Sequence, residues 1–485
     1  MEGKVWLTGG GPGDPELLTL KGRRVLEEAD VVVYDRLVGT DVLNFAKPDA
    51  ELIDVGKSGG SHPIPQSEIE KTLIEKAREG KKVVRLKGGD PFLFGRGGEE
   101  MAALIKEGIA CEVVPGVTSA IAVPAYAGIP VTHRDYSSSL HIITAHKREE
   151  TPLDYKRLAC LDGTVVFLMG ASRLDEISKD LIASGMDTKT PAAVIENGTT
   201  RHQRQVIGTL NDLPKRAKDL GIHAPAVLVI GQVAALGEVL DWRAHLPLTG
   251  KCVIVPYVAR KEPGSGGRLA ALLRARGAEA IEIPISRIEA INTPLPPLSG
   301  YNWIAFTSAA GVESFFERLR ADNRDVRETG NARIAVVGPT TREALEARGL
   351  KVDLVPAVYN GTALGEALCS TATGRILLLR AENGAPELTN ILMEKGLCFD
   401  EVPVYRTVPV EVDTRKLCKT DVVAFTCASS VRNFASSCSG MRVKAACIGS
   451  QTAKAAGEAG YEIYVAKKTT LEDLINTIEE VTGLC

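Results

Sequence analysis

Short apolar segments alternate with glycine- and proline-rich loops and with amphipathic segments along the first half of the chain. The apolar segments include Val31–Val33, Val83–Leu86, Val113–Val114, Ile142–Thr144, Val165–Met169 and Ala193–Ile195. Short runs rich in β-branched residues predict strands, and their alternation with helical segments is typical of α/β folds with mostly parallel sheets. The later part of this half has more strand than helix, which predicts a second, partly antiparallel subdomain.

The two halves are predicted to separate near residue 248. The apolar segment Ala226–Gly231 is followed by Asp241–Gly250, which contains proline and glycine, and a new apolar segment begins at Lys251. Proline and glycine punctuate element boundaries. We therefore expect one domain over residues 1–245 and another over 250–485.

An internal repeat runs through the second half. Trp303–Val312 is similar to Val422–Val431, and Ile334–Thr341 is similar to Ala445–Thr452. Each second segment is followed by a predicted helix and a further apolar run, which is Val352–Val355 or Ile463–Val465.

Another matched pair of units begins at Val253 and Ile376, so the order along the chain is A, B, A′, B′. This order predicts a duplicated α/β unit folded as two lobes, one of residues 250–286 with 410–485 and the other of residues 290–403. A cleft between lobes is a place where ligands bind.

Length and composition exclude several classes of protein. A chain of 485 residues suggests two to four domains. A formal net charge of -3 and only 5% aromatic residues argue against nucleic acid as a partner. No apolar run approaches the roughly 20 residues of a membrane helix, and the N-terminus lacks the pattern of a signal peptide. We expect a cytoplasmic protein.

Cysteine and histidine spacing predicts no metal site. The ten cysteines contain no C-x-x-C pair, and the seven histidines show neither a cluster nor H-E-x-x-H. We interpret the cysteines as buried thiols that stay reduced.

Two glycine-rich loops carry the most specific signals. Gly9–Pro15 follows a predicted strand, but its spacing is not that of a dinucleotide fingerprint and it lacks the Gly-Lys-Ser/Thr of a P-loop. Val83–Glu100 begins as a buried strand and breaks into a glycine loop that carries Asp90, Arg96 and Glu99. Glycine is needed where backbone approaches a ligand closely. The loop therefore indicates a site for a charged small molecule.

Further polar residues follow other predicted strands. Asp35 is at a strand exit, where a role as helix N-cap is the alternative, and a lysine such as Lys57, taken alone, is more often a solvated surface charge. Thr118 and Ser119 stand at a helix start, where they can donate hydrogen bonds. In α/β sheets, ligands gather at these strand ends.

The segment Val83–Glu100 closely resembles the signature of uroporphyrinogen-III C-methyltransferases, and Gly11–Pro15 resembles the GPGDP turn of tetrapyrrole methylases. Other parts of the pattern recur in order over residues 3 to about 240, and they are Tyr126–Arg134, Thr164–Gly170 and Glu196–Thr200. Small departures are Thr8 and Ala145, and neither removes a reactive group.

This resemblance implies a two-subdomain tetrapyrrole methylase fold that uses S-adenosylmethionine to methylate uroporphyrinogen III at C2 and C7, giving precorrin-2. Asp35 and Lys57 match a proton acceptor and a proton donor, and Arg96 and Glu99 match further catalytic positions. Positions near the porphyrinogen also include Arg36 and Arg134, whose guanidinium groups suit substrate carboxylates. The cofactor would contact Pro12, Gly88, Gly89, Asp90, Leu93, Thr118, Ser119, Met169 and Gly198.

Residues 250–485 resemble uroporphyrinogen-III synthases, which cyclise hydroxymethylbilane with inversion of ring D. The motifs include Phe306–Ala309, Val337–Thr341, Leu379–Glu382, Val404–Thr407 and Ile448–Ala453. Tyr405 matches the tyrosine proposed to assist loss of hydroxide, and its hydroxyl is expected to face the cleft. Hydroxyl groups at strand ends suit anion binding, although each alone could be a turn or N-cap residue; they are Thr307, Ser308, Thr340, Thr426 and Thr452.

The two resemblances together imply a bifunctional enzyme with small-molecule tetrapyrrole substrates. Its fold class is α/β throughout, with a two-lobed synthase fold of duplicated doubly wound units in the second half. We expect a homodimer formed through the methyltransferase domain and no membrane partner. The alternatives are a tetrapyrrole methylase that acts on a later intermediate, and a second half that is a degenerate porphyrin-binding module.

Overall fold

A computed structural model gives the structure of the protein. It describes residues 3–483 apart from 36, 48, 57–63, 146–152, 260–266, 411, 413–416, 418–421 and 439. Over these residues the strands form three sheets, two in the N-terminal half and one in the C-terminal half. Helices pack against the sheets, so the chain is α/β throughout, as the sequence predicts.

The first sheet is parallel and has the strand order β3-β2-β4-β1-β5. Its two faces are covered by helices, which bury one apolar core on each side. The elements are β1 (Lys4–Gly9), α1 (Leu20–Glu28), β2 (Val31–Tyr34), β3 (Glu51–Asp54), α2 (Gln66–Arg78), β4 (Lys82–Lys87), α3 (Gly97–Lys106), β5 (Ala110–Val114) and α4 (Ser119–Tyr126).

The second sheet is mixed, with the strand order β6-β7-β10-β8-β9. Strands β6 and β7 are parallel, while β10 is antiparallel to both of its neighbours and β8 is antiparallel to β9. The prediction of a partly antiparallel subdomain is confirmed. The elements are β6 (Leu140–Thr144), α5 (Tyr155–Ala159), β7 (Thr164–Leu168), α6 (Leu174–Ala183), β8 (Pro191–Glu196), β9 (Arg204–Thr209), α7 (Leu213–Asp219) and β10 (Ala226–Ile230).

The third sheet has the strand order β14-β13-β15-β16-β12-β11-β17-β18-β19. Its elements are β11 (Cys252–Ala259), α8 (Arg268–Ala275), β12 (Glu279–Ala290), β13 (Trp303–Phe306), α9 (Ala309–Ala321), β14 (Arg333–Val336), α10 (Pro339–Glu346), α11 (Gly361–Thr371), β15 (Ile376–Ala381), α12 (Glu387–Glu394), β16 (Phe399–Pro409), β17 (Val422–Phe425), α13 (Ala428–Ser437), β18 (Lys444–Cys447), α14 (Ser450–Glu458), β19 (Glu462–Val465) and α15 (Leu471–Gly483).

The antiparallel pair β12–β16 divides this sheet into two parallel groups. The two groups have corresponding strand orders when each is followed outward from the central pair. The order is β12, β11, β17, β18 on one side and β16, β15, β13, β14 on the other. One group combines β11 and β12 with β17, β18 and β19 from the other end of this half, whereas β13, β14, β15 and β16 are consecutive in the chain. The A and B′ units therefore share one group and the B and A′ units share the other, which fits the order A, B, A′, B′.

One predicted strand is much shorter than expected. Val352–Val355, the counterpart of β19, contributes only the isolated bridge between Leu354 and Ala335. The carboxylate of Asp353 accepts the backbone N–H of Ile334 (2.8 Å), so a side chain takes a donor that a longer ladder would use.

Cysteine burial differs from the expectation. Cys252, Cys438 and Cys447 are buried, as predicted. The prediction of burial is wrong for Cys160, Cys398 and Cys427, which are exposed. All eight cysteines in the described part of the chain are free thiols. No described helix combines the length and apolar character needed to cross a membrane.

Candidate functional site

Three loops converge at the carboxyl edge of the first sheet, following β1, β4 and β5. The N–H of Gly10 donates to the carbonyl of Lys87 (2.7 Å), and the N–H of Gly89 donates to the carbonyl of Gly11 (2.7 Å). The loop after β5 joins them, since the N–H of Gly116 donates to Oδ2 of Asp90 (3.0 Å). These bonds fix the relative positions of the loops without using a long side chain.

Glycine is required where these loops cross. A Cβ on Gly116 would lie 2.2 Å from the carbonyl oxygen of Gly89 and 2.7 Å from Cα of Gly9. Gly89 has φ +67, in the region that favours glycine, and a Cβ there would find open space to 3.8 Å beside Thr118 and Ser119. The space beside Gly89 is therefore shaped by bare backbone and bordered by the start of α4.

The loop after β8 of the second sheet lies against this edge. The N–H of Asp14 donates to Oγ1 of Thr199 (3.3 Å), and the hydroxyl of Tyr126 donates to Oδ2 of Asp14 (2.8 Å). Gly198 lies close to α4, because a Cβ there would be 2.3 Å from a methyl group of Val123. The loop after β8 and the end of α4 thus meet the GPGDP turn of the first sheet.

The predicted cofactor residues lie at the start of α4 and in loops that follow strands of both sheets. Pro12 lies after β1, Gly88, Gly89, Asp90 and Leu93 after β4, Thr118 and Ser119 at the start of α4, Met169 after β7 and Gly198 after β8. Oγ1 of Thr118 accepts the N–H of Ala120 (3.2 Å), which caps α4. Met169 has φ +58 and is 47% exposed. Backbone amides, a helix N-terminus and a half-exposed thioether fit a polar, nucleoside-bearing sulfonium.

Asp90 has a structural role in this site. Its Oδ1 accepts the N–H of Phe92 (2.8 Å), while its Oδ2 accepts that of Gly116. The sequence predicts that Asp90 orients the polar end of the cofactor directly. In the structure the same carboxylate ties the loops after β4 and β5 together, so it also shapes the surface that would receive the cofactor.

The predicted proton acceptor is at the same edge. Asp35 follows β2, its Oδ1 accepts the N–H of Leu37 (3.2 Å), and its Oδ2 lies 3.5 Å from Nη2 of Arg85. Its side chain is 25% exposed, so it is available to a ligand. The other two residues predicted for this part of the site, Arg36 and Lys57, lie outside the described residues.

Arg96 and Glu99 form a bidentate ion pair at the start of α3. Nε and Nη2 of Arg96 donate to the two carboxylate oxygens of Glu99 (3.0 and 2.7 Å), and both side chains are half exposed. Hydrogen bonding to Glu99 raises the pKa of Arg96. Arg96 has φ +58, which turns the chain into the helix. Arg134 is exposed on the connection between α4 and β6.

In the C-terminal half, the predicted tyrosine lies in the wall of one lobe. Tyr405 is in β16 and only 8% exposed, and its ring packs in a core with Phe306 and Phe315. Its hydroxyl forms a hydrogen bond with Oγ of Ser308 (2.9 Å), and the same Oγ accepts the N–H of Gly311 at the start of α9 (3.0 Å). The Tyr405 hydroxyl therefore reaches the carboxyl end of β13.

The other predicted hydroxyl groups differ in exposure. Thr307 and Thr426 follow the matching strands β13 and β17, and Thr426 is exposed. Thr452 is 4% exposed in α14, whereas Thr340 is exposed in α10. The repeat aligns Thr452 with Thr341, which is 3% exposed. Thr341 is thus the structural counterpart of Thr452, and the sequence motif selected its neighbour.

Comparison with known proteins finds a different family in each half of the chain. Residues 4–214 match the family model of tetrapyrrole (corrin/porphyrin) methylases, and residues 267–476 match that of uroporphyrinogen-III synthase HemD. The porphyrin biosynthesis protein HemD of Ruminiclostridium josui is 40% identical over 99% of this chain and 98% of its own. The chain belongs to this family of fused methylases and synthases.

Two further proteins are similar to the methylase half alone. The S-adenosyl-L-methionine-dependent uroporphyrinogen III methyltransferase of Methanosarcina barkeri is 52% identical over 49% of this chain and 94% of its own. A crystal structure of uroporphyrin-III C-methyltransferase from Thermus thermophilus, complexed with S-adenosylhomocysteine, is 40% identical, covering 48% of this chain and 99% of its own with a TM-score of 0.42.

The methylase half contains buried charges that the sequence motifs did not single out. Arg85 and Lys87 in β4 and Glu100 in α3 are 3%, 5% and 0% exposed. Their signal in the sequence is a pair of cations two positions apart in an otherwise apolar strand, which places both on one buried face. Burial, and then the charge of Arg85, lower the pKa of Lys87.

A cleft of about 260 Å³ lies between the methylase and synthase halves beside the GPGDP turn, and residues of both halves line it. The two halves are joined there by an ion pair between Nε of Arg201 and Oε2 of Glu279 (2.9 Å). Its lining includes Asp14, Trp242 and Arg274, and Arg274 is itself paired with Glu282. The cleft lies next to the predicted cofactor loop and apart from Tyr405.

Among the described residues, no group of three or more histidine, cysteine, aspartate or glutamate side chains is placed to hold a metal ion.

Proposed function

We propose that the protein is a bifunctional enzyme of tetrapyrrole biosynthesis. The synthase half cyclises hydroxymethylbilane to uroporphyrinogen III with inversion of ring D. The methylase half then transfers two methyl groups from S-adenosylmethionine to C2 and C7 of that product, giving precorrin-2. The observation that carries the proposal is the presence of both family regions in one chain, with a relative that is similar over nearly the whole length.

The cofactor surface is built from the converging loops. S-adenosylmethionine would supply an activated methyl group when bound beside Gly88, Gly89 and the start of α4. The bare backbone at Gly89 allows close approach, and the N-terminal amides of α4 border the same space. The role of these residues is alignment, which can supply a large part of the acceleration of a displacement reaction.

The methylase half must also hold the substrate and remove a proton. Uroporphyrinogen III carries carboxylates, and the exposed guanidinium groups of Arg96 and Arg134 are suitable partners for them. Asp35 is partly exposed at the strand edge and paired with a buried arginine. The methylated carbon carries no hydrogen of its own, so the positive charge left by methyl transfer is removed by loss of a proton from elsewhere in the tetrapyrrole. We assign Asp35 to accept that proton.

In the synthase half, the Tyr405 hydroxyl assists loss of hydroxide from hydroxymethylbilane by donating a hydrogen bond or proton. Its contact with Ser308 supports this role, since Ser308 stands at a helix N-terminus that favours anionic groups. The hydroxyl groups of Thr307 and Thr426, which follow the matching strands β13 and β17, would bind the substrate carboxylates.

We further propose a homodimer formed through the methylase half. Several large apolar side chains of that half are exposed, which supports an interface there; they include Leu20, Phe92, Ile105 and Ile121. Light scattering coupled to size-exclusion chromatography measures the mass of the protein in solution directly.

The free thiols support a reducing, cytoplasmic location.

Two separate assays test the proposed function. Hydroxymethylbilane alone should give uroporphyrinogen III in place of the spontaneously formed type I isomer. Uroporphyrinogen III with S-adenosylmethionine should give a product that carries two added methyl groups. Failure of the first reaction with success of the second would leave the synthase half as a binding module.

A further inference from the structure

A cluster of buried charges lies between the first sheet and its covering helices. Arg85 and Lys87 project from β4 on the face that also carries Val83, and Glu100 projects toward them from α3. Glu100 is fully buried, and the two cations are 3% and 5% exposed.

Glu100 is the centre of this cluster. Its Oε1 accepts hydrogen bonds from Nε of Arg85 (3.2 Å), Nζ of Lys87 (2.9 Å) and Nε2 of Gln66 (3.1 Å). Its Oε2 is buried and has no hydrogen-bond partner in the described part of the chain. One carboxylate therefore compensates two buried cations contributed by the same strand.

Burying such a cluster of charges is unfavourable for the free energy of folding. Removing several charges from water costs more than their mutual attraction readily returns, and apolar side chains of similar volume would usually be at least as stable. Apolar residues do fit on this face of β4, since Val83 is completely buried there. Stability alone does not account for these charges.

Arg85 connects the cluster with Asp35. Nη1 of Arg85 donates to the carbonyl groups of Val33 (3.4 Å) and Leu86 (3.2 Å), while Nη2 lies 3.5 Å from Oδ2 of Asp35. The guanidinium is thus held on its Nε side by Glu100 and in the middle by backbone. Its remaining end points to the partly exposed carboxylate at the edge of the sheet.

We propose that Glu100 is a positioning residue for methylation, which holds Arg85 so that Arg85 fixes the carboxylate of Asp35 against the substrate. The proposal rests on the proposed function, in which Asp35 accepts a proton from the methylated tetrapyrrole. Glu100 is fully buried and acts only through Arg85, whereas Asp35 is open to the ligand. This coupling makes the effects of Glu100 and Asp35 on turnover interdependent.

A double-mutant cycle on the full-length enzyme tests the coupling. Glu100→Gln keeps the shape of the side chain, and Asp35→Asn removes the proton acceptor. We expect Asp35→Asn to lower kcat for methylation of uroporphyrinogen III by about 100-fold or more, within the range for a lost general base. Glu100→Gln should lower kcat about tenfold, with KM and calorimetric affinity for S-adenosylmethionine unchanged.

In the Asp35→Asn background, Glu100→Gln should then have almost no further effect, because the group that it positions is already gone. Glu107→Gln is the matched control, since Glu107 is an exposed carboxylate at the end of the same helix paired with Arg78. It should leave kcat at the wild-type value.

Multiplicative losses of Glu100→Gln and Asp35→Asn, or a wild-type kcat for Glu100→Gln, would overturn the proposal. If Glu100→Gln does not fold, Arg85→Lys takes its place, because a lysine retains the charge but cannot span Glu100 and Asp35. The same non-additivity is expected. If the wild-type enzyme does not methylate uroporphyrinogen III, the proposed function itself fails and the positioning role fails with it. If Asp35→Asn methylates normally, the enzyme keeps its function, but Asp35 is not the proton acceptor and the positioning role of Glu100 is overturned.

Discussion

Charged side chains of the methylase half fall into two groups that differ in burial. Arg96 and Glu99 are half exposed and pair through both nitrogens of one edge of the guanidinium, whereas Arg85, Lys87 and Glu100 are enclosed. Exposed pairs contribute little to stability and can exchange partners, so Arg96 can turn from Glu99 to a substrate carboxylate. The enclosed group cannot exchange partners without unfavourable exposure of charge.

Arg96→Ala should therefore impair methylation and leave folding intact. A charge-assisted hydrogen bond is worth about 1.5–3 kcal/mol, so we expect kcat/KM for uroporphyrinogen III to fall roughly tenfold or more. Affinity for S-adenosylmethionine should not change. Arg78→Ala removes a comparable exposed ion pair with Glu107 and serves as the control. Normal turnover of Arg96→Ala would assign Arg96 a purely structural role.

At Tyr405, the ring and the hydroxyl have different roles. Tyr405→Phe preserves packing against Phe306 and Phe315 but removes the hydrogen bond to Ser308. We expect slower formation of uroporphyrinogen III by about tenfold or more, and a larger share of the type I isomer. Methylation of supplied uroporphyrinogen III should be normal. Chromatographic separation of the isomers measures this, and a wild-type rate and ratio would remove Tyr405 from the mechanism.

At the scale of elements, the cofactor surface depends on loops that cross at glycine. Gly116→Ala would place a Cβ 2.2 Å from the carbonyl oxygen of Gly89, so the loops after β4 and β5 must separate. We expect a large loss of affinity for S-adenosylmethionine in calorimetry, together with a lower melting temperature. Gly98→Ala is the control in the same region, because its Cβ meets nothing within 4 Å and α3 should gain about 0.5–1 kcal/mol. Equal cofactor affinities of the two variants would contradict the crossing-loop account.

Glu112 links β5 to β1 and α1, and it gives the first sheet a dependence on pH. Hydrogen bonds from Lys21 and then Lys4 lower the pKa of Glu112 from 4.5 to about 2. Because the folded state holds the carboxylate ionised, its stabilisation is present above about pH 4.5 and is lost as the pH falls toward 2. Glu112→Gln should lower the melting temperature slightly at pH 7 and flatten its fall over that acidic range. An unchanged acidic profile would contradict this.

The sequence predicted the elements better than the contacts between them. Period and glycine punctuation placed β2, β4 and β8 close to their observed bounds. Val352–Val355 has the same apolar pattern as β19, yet the Asp353 carboxylate replaces part of the ladder. A pattern of apolar positions does not contain the competing hydrogen bond of a side chain.

Contacts between side chains that are distant in the sequence could not be predicted, for a similar reason. Ser308 and Tyr405 are 97 residues apart and meet only because β13, β15 and β16 are neighbours in one sheet. Glu100 and Arg85 were both visible in the signature segment, but their mutual contact depends on how α3 packs on β4. The motifs selected the loops of the proposed site, and the fold determined which side chains contact one another.

At the scale of the whole molecule, a duplicated synthase half follows a methylase half whose own two sheets differ in strand arrangement. The predicted reaction centres are distinct, since Asp35 and Tyr405 belong to different sheets in different halves. Each activity should therefore be lost separately, Arg96→Ala affecting only methylation and Tyr405→Phe affecting only cyclisation.

The central claim is that one chain performs both consecutive reactions. Incubation of the purified full-length protein with hydroxymethylbilane and S-adenosylmethionine, followed by mass spectrometry of the tetrapyrroles, tests it most directly. The account predicts a type III product that carries two added methyl groups, with unmethylated uroporphyrinogen III when S-adenosylmethionine is omitted. Accumulation of the type I isomer, or of unmethylated uroporphyrinogen III in the complete mixture, would contradict it.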